Sequence, residues 1–193
     1  MKHCLTILSI AIFAAFFTSC KEGHKENNLP VASLDEKENI PEDTTVYGIC
    51  VDATSNTVMI VNSNGDSILY VCNDVYDEDG ALQSRVVLGG KFVGDKLAVI
   101  GTIGEEENLA TSVINLTSLM GRWTSLDRDF EIKDGGVVDS NITAESNPYT
   151  SWKIINGRLV LSKDTFYICD LGQDSLVLEN NKGIFSYKRK TNE

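Results

Sequence analysis

Histidine is almost absent from this chain: its 193 residues include only His3 and His24. Both come before the part of the sequence that carries regular apolar patterning, so that part holds no imidazole. Serine–histidine–aspartate and cysteine–histidine catalysis need an imidazole, as do the common catalytic zinc sites. These classes of enzyme are therefore excluded for the folded part, where catalysis would have to rest on carboxylates, lysines or tyrosines.

Cysteine is also scarce where a fold is expected. Five are present, and Cys4 and Cys20 fall in the N-terminal segment, which leaves Cys50, Cys72 and Cys169. An odd set without a C-x-x-C pair excludes a disulfide framework and a zinc ribbon. Each of the three lies in an apolar run, where cysteine acts as a small buried hydrophobic residue. A Cys50–Cys72 disulfide stays open as an alternative, and we expect no metal site and no cofactor.

Positive charge is scarce as well, because 17 lysines and arginines stand against 28 acidic residues, for a net charge of −11. Such a surface repels phosphate backbones and anionic head groups, so nucleic acid is excluded as a partner. The densest acidic segment covers residues 73–80. It fails as an EF-hand calcium loop, because alignment on Gly80 places Val75 and Val86 at the first and last ligand positions.

No apolar run is long enough to span a bilayer as a helix, which takes about 20 residues. The longest covers residues 4–17, follows Lys2, and has the length of the apolar core of a signal peptide. It ends in Thr18-Ser19-Cys20, after which charge begins. This ending resembles the lipobox of bacterial lipoproteins, with Phe17 where that family usually has leucine. The resemblance implies that residues 1–19 are a lipoprotein signal peptide and that Cys20 carries fatty acyl chains such as palmitate. An ordinary signal peptide followed by a coincidental cysteine is the alternative.

The lipobox resemblance also implies a location. Acyl chains contribute about 0.8 kcal/mol per buried CH₂, so two or more chains hold a protein on a membrane. We expect the chain to be anchored in the outer membrane of the cell envelope, because Lys21 is not the aspartate that often retains lipoproteins in the inner membrane. The side of the membrane that it faces is left open. Residues 20–44 are polar and charged, which predicts a flexible linker between the lipid and the fold.

From residue 45 the sequence changes to short β-branched runs separated by turn residues, and no segment has a helix-length periodicity. The turn Asn62-Ser63-Asn64-Gly65 is a strong signal for a hairpin between two of these runs. A hairpin, a loop and two further strands in this order resemble a small OB-like barrel, which we assign to residues 45–119. The predicted strands cover 46–51, 57–61, 67–72, 86–88, 94–101 and 109–116.

A second set of short strands follows over residues 120–190. Asn156-Gly157 between two apolar runs is a strong signal for a type I′ hairpin, since both residues accept a positive φ. The regular spacing predicts an up-and-down meander of about eight strands. The expected fold class is thus all-β, with two small antiparallel β-barrel modules. The predicted strands of the second module cover 123–126, 130–133, 137–143, 151–155, 158–162, 165–170, 175–179 and 184–188.

Gly121-x-Trp123 on the first strand of this meander and Lys188-Arg189 on its last strand resemble the lipocalin-like superfamily. The wider arrangement is similar to the lipocalin-like lipoproteins of Gram-negative envelopes. The resemblance implies that Trp123 plugs the base of the barrel and that Arg189 packs over it, with Gly121 part of the same structural signature. About 70 residues is half of a full lipocalin, and barrels this small fill their interiors with side chains.

Aromatic residues beside the turn at 147–148 are the candidates for a contact surface. We expect Tyr149 and Trp152 to form an exposed pair there. Strand alternation places Phe185 and Tyr187 on one face of their strand, where they are candidates for the core.

The sequence therefore predicts a lipid-anchored envelope protein that is not an enzyme, since no spacing brings carboxylates together as an acid–base pair. The first hypothesis is a small apolar or carbohydrate ligand bound by the lipocalin-like barrel, as the resemblance implies. The alternative is an interaction or adaptor protein that docks another envelope component and takes no small ligand. The expected partners are the membrane, through the N-terminal lipid, and an unidentified ligand or envelope protein.

Overall fold

The computed structural model describes residues 42–76, 79–80, 82–83, 86–141 and 147–191. The predicted signal peptide, Cys20 and most of the predicted linker lie outside these residues. Within them, regular structure is almost entirely β, with one four-residue α-helix, α1 (Leu116–Leu119). No helix in the described ranges is long and apolar enough to cross a bilayer.

The first barrel is a closed ring of five strands, with the order β3-β2-β1-β7-β8. A parallel pair between Tyr70 on β3 and Asn108 on β8 closes the ring. The first strand thus pairs with the fourth and the third with the fifth, which is the OB-like arrangement that the sequence predicted. The strands are β1 (Val46–Ala53), β2 (Thr57–Val61), β3 (Ser67–Val71), β4 (Val75–Tyr76), β5 (Leu82–Gln83), β6 (Val86–Leu88), β7 (Lys96–Thr102) and β8 (Asn108–Asn115). Outside the ring, β6 runs parallel to β8, and β4 pairs with β5.

Local sequence explains the hairpin between β2 and β3. The side-chain oxygen of Asn62 accepts hydrogen bonds from the backbone N–H groups of Asn64 and Asp66, both at 2.9 Å. Gly65 adopts a φ of +87°, which glycine accepts without steric cost. On the flanking strands, Val58, Ile60 and Tyr70 point inward and are fully buried. The turn predicted from Asn62 to Gly65 therefore sets the register of this part of the core.

The second barrel is an up-and-down meander of eight strands, as the sequence predicted. Consecutive strands other than β11 and β12 are antiparallel neighbours, and the first, β9, also pairs with the last, β16. A bridge between Val137 and Ser151 links β11 to β12, so the barrel is nearly closed. The strands are β9 (Gly121–Thr124), β10 (Asp129–Ile132), β11 (Val138–Ser140), β12 (Trp152–Ile155), β13 (Arg158–Leu161), β14 (Asp164–Leu171), β15 (Ser175–Asn180) and β16 (Gly183–Arg189).

The two barrels belong to one compact unit that begins at residue 41. Ala98 and Ile114 of the first barrel join the apolar core of the second, together with Leu116 and Leu119 of α1. Burying these side chains stabilises the contact by about 25 cal/mol per Å² of apolar surface. The barrels therefore share part of one core, which holds them in a fixed arrangement.

Polar contacts fix residues 44–47 to the second barrel. Asn156, at the tip of the β12–β13 hairpin, accepts a hydrogen bond from the backbone N–H of Thr44 at 2.9 Å. The Asn156 backbone N–H donates to the hydroxyl of Thr45 at 2.9 Å. Nearby, the Tyr47 hydroxyl donates to the carbonyl oxygen of Ile154 at 2.6 Å. The predicted hairpin turn thus also serves as a contact between the barrels.

The described cysteines are all free thiols. Cys50 lies on β1 and Cys72 follows β3, with β2 between them. Because neighbouring strands lie about 4.8 Å apart, these two residues are separated by roughly 10 Å across the sheet alone, beyond the ~7 Å limit for a disulfide. The alternative of a Cys50–Cys72 disulfide is therefore wrong for this fold.

Candidate functional site

Trp123 and Arg189 close the end of the second barrel that lies next to α1. Trp123 is fully buried, and its Nε1 donates to the carbonyl oxygen of Leu119 at 2.8 Å. The guanidinium carbon of Arg189 lies 4.1 Å from the centre of the Trp123 ring, and its Nη1 donates to the carbonyl oxygen of Met120 at 2.8 Å. A cation over the face of a buried indole is attractive. The structure thus brings together the two residues that the sequence paired.

Gly121 leaves the space in which Arg189 lies. Its φ is +124°, and an added Cβ would stand only 2.5 Å from Nη1 of Arg189. Any other residue would be strained in this backbone conformation and would displace the guanidinium. The Gly121-x-Trp123 signature is therefore structural, since it seals one end of the barrel.

Aromatic rings fill the interior of the barrel beyond Trp123. Five rings form a chain of edge-to-face contacts with centroid distances between 5.1 and 6.3 Å. Burial raises the pKa of the phenols in this chain, so they stay neutral. The five residues, in contact order, are Tyr187, Phe130, Tyr149, Phe166 and Phe185. Among the described residues, the barrel's own side chains occupy its interior. The two grooves described below open on the outside of the barrel.

The β9–β10 hairpin covers the opposite end of the barrel. The guanidinium carbon of Arg128 lies 4.7 Å from the centre of the Tyr149 ring. Arg128 also donates from Nη1 to the carbonyl oxygen of Asn147 at 3.0 Å. An arginine therefore stacks on an aromatic ring at each end of the barrel.

The prediction that Tyr149 and Trp152 form an exposed pair is wrong. Tyr149 is only 6% exposed, because the chain after Pro148 turns inward and places its ring in the aromatic chain. Trp152 is half-buried, and its Nε1 donates to the carbonyl oxygen of Lys133 at 2.6 Å. Both residues support the barrel rather than a free contact surface.

A groove opens where the wall of the second barrel is incompletely paired; we call it the seam groove. Strands β9 and β16 pair only at Trp123–Arg189 and Thr124–Lys188. Beyond Thr124 the chain turns into the β9–β10 hairpin, so the rest of β16 lacks a strand neighbour on that side within the described ranges. The groove has a volume of about 880 Å³. It is lined by Thr124, Ser125, Leu126, Asp127, Arg128, Ser175, Val177, Ile184, Phe185, Ser186, Tyr187 and Lys188.

The lining of the seam groove is largely apolar. Leu126 at the hairpin tip is fully exposed, and Ile184 on β16 is 68% exposed. Phe185 and Tyr187, which point into the barrel, also line the groove, so it reaches the aromatic core. Lys188 is exposed at the edge of the groove. A lateral opening of this kind offers apolar contacts at its base and charge at its rim.

A second groove, which we call the wall groove, lies on the outer face of β13, β14 and β15. It has a volume of about 780 Å³. Arg158 covers the ring of Tyr167 at 4.2 Å, and Lys182 pairs with Asp164 at 2.9 Å. The charged side chains of Arg158, Asp164 and Lys182 therefore each contact a neighbour within this groove. It is lined by Arg158, Lys163, Asp164, Thr165, Phe166, Tyr167, Cys169, Glu179, Asn180, Asn181 and Lys182.

The two carboxylates on β10, Asp129 and Glu131, take part in ion pairs. Arg122 donates from Nε and Nη2 to the two oxygens of Asp129, both at 2.7 Å, and this pair lowers the pKa of Asp129. Glu131 lies 3.7 Å from the ammonium group of Lys133. The described ranges contain no group of three or more side chains placed to hold a metal ion. These contacts explain Asp129 and Glu131 as structural partners of Arg122 and Lys133.

Sequence reasoning did not find the seam groove or Arg128. The groove depends on how far β9 follows β16, which is a long-range pairing without a local motif. The observed strands differ in length, because β9 has four residues and β16 has seven, whereas the strands predicted there, 123–126 and 184–188, differ by one residue. An unequal pair at the point where a barrel closes leaves part of the longer strand without a neighbour.

Comparisons with known protein families, with curated proteins and with solved structures found no match to this chain.

Proposed function

We propose that this protein is a lipid-anchored protein of the outer membrane that has no catalytic activity and docks another envelope component through its second barrel. Anchoring is assigned to acyl chains on Cys20, on the lipobox resemblance. Docking is assigned to the seam groove, whose apolar lining and incomplete strand pairing carry the proposal. Exposed apolar surface at a defined groove is typical of interaction sites.

The filled interior of the second barrel favours docking over a ligand calyx. A lipocalin-like carrier would hold its ligand inside, where five aromatic rings pack against one another. A small apolar ligand in the seam groove is the second candidate function. Its support is the groove volume of about 880 Å³, which falls in the range of sites for small molecules.

Photo-crosslinking in intact cells tests the docking function. A photoreactive amino acid replaces Leu126 at the seam groove in one strain and Tyr167 at the wall groove in a control strain. Both positions are exposed, so neither replacement disturbs the core. We expect a defined crosslinked protein from position 126 and none from position 167. Equal yields from both positions, or none from position 126, would contradict the proposal.

Native and denaturing mass spectra of the protein purified gently from its host separate the two candidate functions. Docking alone predicts the same polypeptide mass under both conditions, apart from the lipid on Cys20. A reproducible released small molecule would instead support the apolar carrier. Labelling with palmitate, compared between the parent and Cys20→Ser, tests the anchor, and we expect the label to disappear in the variant.

A further inference from the structure

We infer that the partner binds in the seam groove as an extended polypeptide segment that adds a β-strand to the open edge of β16. This inference rests on the proposed docking function and names its mode and its partner class. Strand addition uses unpaired backbone groups for affinity and neighbouring side chains for specificity. The seam groove supplies both.

The backbone hydrogen bonds at the end of β16 show which groups face the groove. The N–H of Arg189 donates to Asp174 on the β15 side at 3.0 Å, whereas the N–H of Lys190 donates to Arg122 on the β9 side at 2.9 Å. Because successive residues in a strand direct their backbone groups to opposite sides, Ile184 and Ser186 direct theirs away from β15. These groups have no backbone partner within the described residues. They form the open edge.

The open edge has room for a short added strand. At about 3.3 Å per residue, the stretch from residue 184 to residue 187 extends for roughly 13 Å, which matches about four residues of a neighbour. Side chains of an added strand would alternate between the aromatic base at Phe185 and the outer surface beside Ile184. The apolar residues Leu126 and Val177 flank the same space. We therefore expect apolar residues at alternate positions of the segment.

Charge selects the partner. Lys188 is exposed at the end of the open edge and forms no ion pair within the described residues. The chain as a whole carries a net charge of −11, so an acidic segment finds attraction here and repulsion elsewhere. Pairing with a second copy of this chain is disfavoured, because both copies are strongly acidic. An antiparallel pair centred on Phe185 would also set Lys188 opposite Lys182 of the second copy.

Hydrogen exchange measured by NMR on the full folded protein tests this mode of binding. The probe is an eight-residue peptide of alternating valine and threonine with a glutamate at each end. Strand addition predicts that the amides of Ile184 and Ser186 exchange at least about tenfold more slowly with the peptide bound. The amides of Phe185 and Tyr187 already face β15, so their exchange should stay unchanged and serves as the internal control.

Two methylated peptides sharpen the test. One carries N-methyl groups on its valines and the other on its threonines, and only one of these sets faces β16 in an added strand. We expect one methylated peptide to lose binding and the other to retain it. Lys188→Glu should weaken binding of the unmethylated peptide by about fivefold. Lys163→Glu, the same change outside the seam groove, should leave the binding unchanged.

Each alternative outcome has a distinct meaning. Equal effects of the two methylations, or unprotected amides at Ile184 and Ser186, would overturn strand addition. If the photoreactive residue at position 126 nevertheless yields a crosslinked partner in cells, the docking function stands and only strand addition is refuted. Protection of the two amides that rises with protein concentration and needs no peptide would identify a second copy as the occupant. That result would overturn the assignment of an acidic partner.

Discussion

Replacing Gly121 by alanine tests whether glycine is needed because of Arg189. The backbone at Gly121 has a φ of +124°, which costs about 1–3 kcal/mol for a residue with a side chain. The new Cβ would also stand 2.5 Å from Nη1 of Arg189. Loss of one charge-assisted hydrogen bond adds about 1.5–3 kcal/mol. We expect Gly121→Ala to lower the free energy of unfolding by roughly 3–5 kcal/mol, a large part of the 5–15 kcal/mol typical of a domain.

A matched glycine separates strain from the clash. Gly183 has a φ of +140°, and an added Cβ there would meet no atom within 4 Å. Gly183→Ala should therefore show the backbone cost alone. Urea unfolding of the purified variants, followed by tryptophan fluorescence, gives both values. We expect Gly121→Ala to be the more destabilising of the two by about 2 kcal/mol, the share assigned to the displaced arginine.

A double-mutant cycle then isolates the contact. Arg189 is held by the carbonyl oxygens of Met120, Ser118 and Gln173, so its end has little freedom to move aside. In an Arg189→Ala background the clash is absent, and Gly121→Ala should cost only the backbone strain. The coupling between the two changes should be at least about 1 kcal/mol. Costs that simply add would refute the reasoning that Gly121 exists to make room for Arg189.

Three further predictions concern other contacts. Asn156→Ala should lower the free energy of unfolding by about 1–3 kcal/mol, because the Asn156 side chain accepts the hydrogen bond that holds Thr44 against the second barrel. Urea unfolding measures this loss, and Asn156→Gly, which accepts the positive φ, shows how much of it comes from the hydrogen bonds rather than from backbone strain. The pKa of Asp129 is lowered by Arg122, so its contribution to stability is complete above the unfolded pKa of about 3.9 and is lost as the pH falls through the folded value. Asp129→Asn should therefore be less stable at pH 7 and show a flatter decline towards pH 3, and an unchanged acid decline would count against the pair. Burial and the Glu179 carboxylate raise the pKa of the Cys169 thiol, so Glu179→Gln should speed its alkylation at pH 8, while buried Cys50 stays unreactive in the same time course.

Local signals predicted the strands and the turns of this protein well. The turn at Asn62–Gly65 needs a positive φ at Gly65, and the turn at Asn156–Gly157 needs one at both residues, so these hairpins follow from a few residues. The alternation of Phe185 and Tyr187 correctly placed both on the inner face of β16. The OB-like order was predicted from the succession of strands, whereas the Tyr70–Asn108 pair that closes the barrel joins residues far apart in the chain.

Tyr149 shows why the candidate contact surface was wrong. Its position beside Asn147-Pro148 indicates a turn, and turns are usually at the surface. The described residues just before β12 instead pack against the aromatic core, which would otherwise face solvent there. Tyr149 then packs between Phe130 and Phe166. A residue beside a turn is exposed only if it does not pack on a neighbouring apolar surface. The local sequence pattern does not show which surfaces will lie next to the turn in the fold.

The position of the seam groove follows from where β9 ends along β16. Gly121 and Trp123 need β9 to begin at the closed end, where Arg189 seals the barrel. β9 has four residues and ends at Thr124, whereas β16 has seven residues. The seal at one end of the barrel therefore fixes where the pairing must stop, and the open edge lies beyond that point. Lengthening β9 by replacing Ser125 and Leu126 with valines should therefore extend its pairing along β16, close the groove and abolish the peptide binding. The edge amides of β16 would gain partners within the chain, whereas the hairpin would lose the Ser125 hydroxyl, which accepts from the backbone N–H groups of Asp127 and Arg128. Urea unfolding of the variant therefore serves as the control that it is folded.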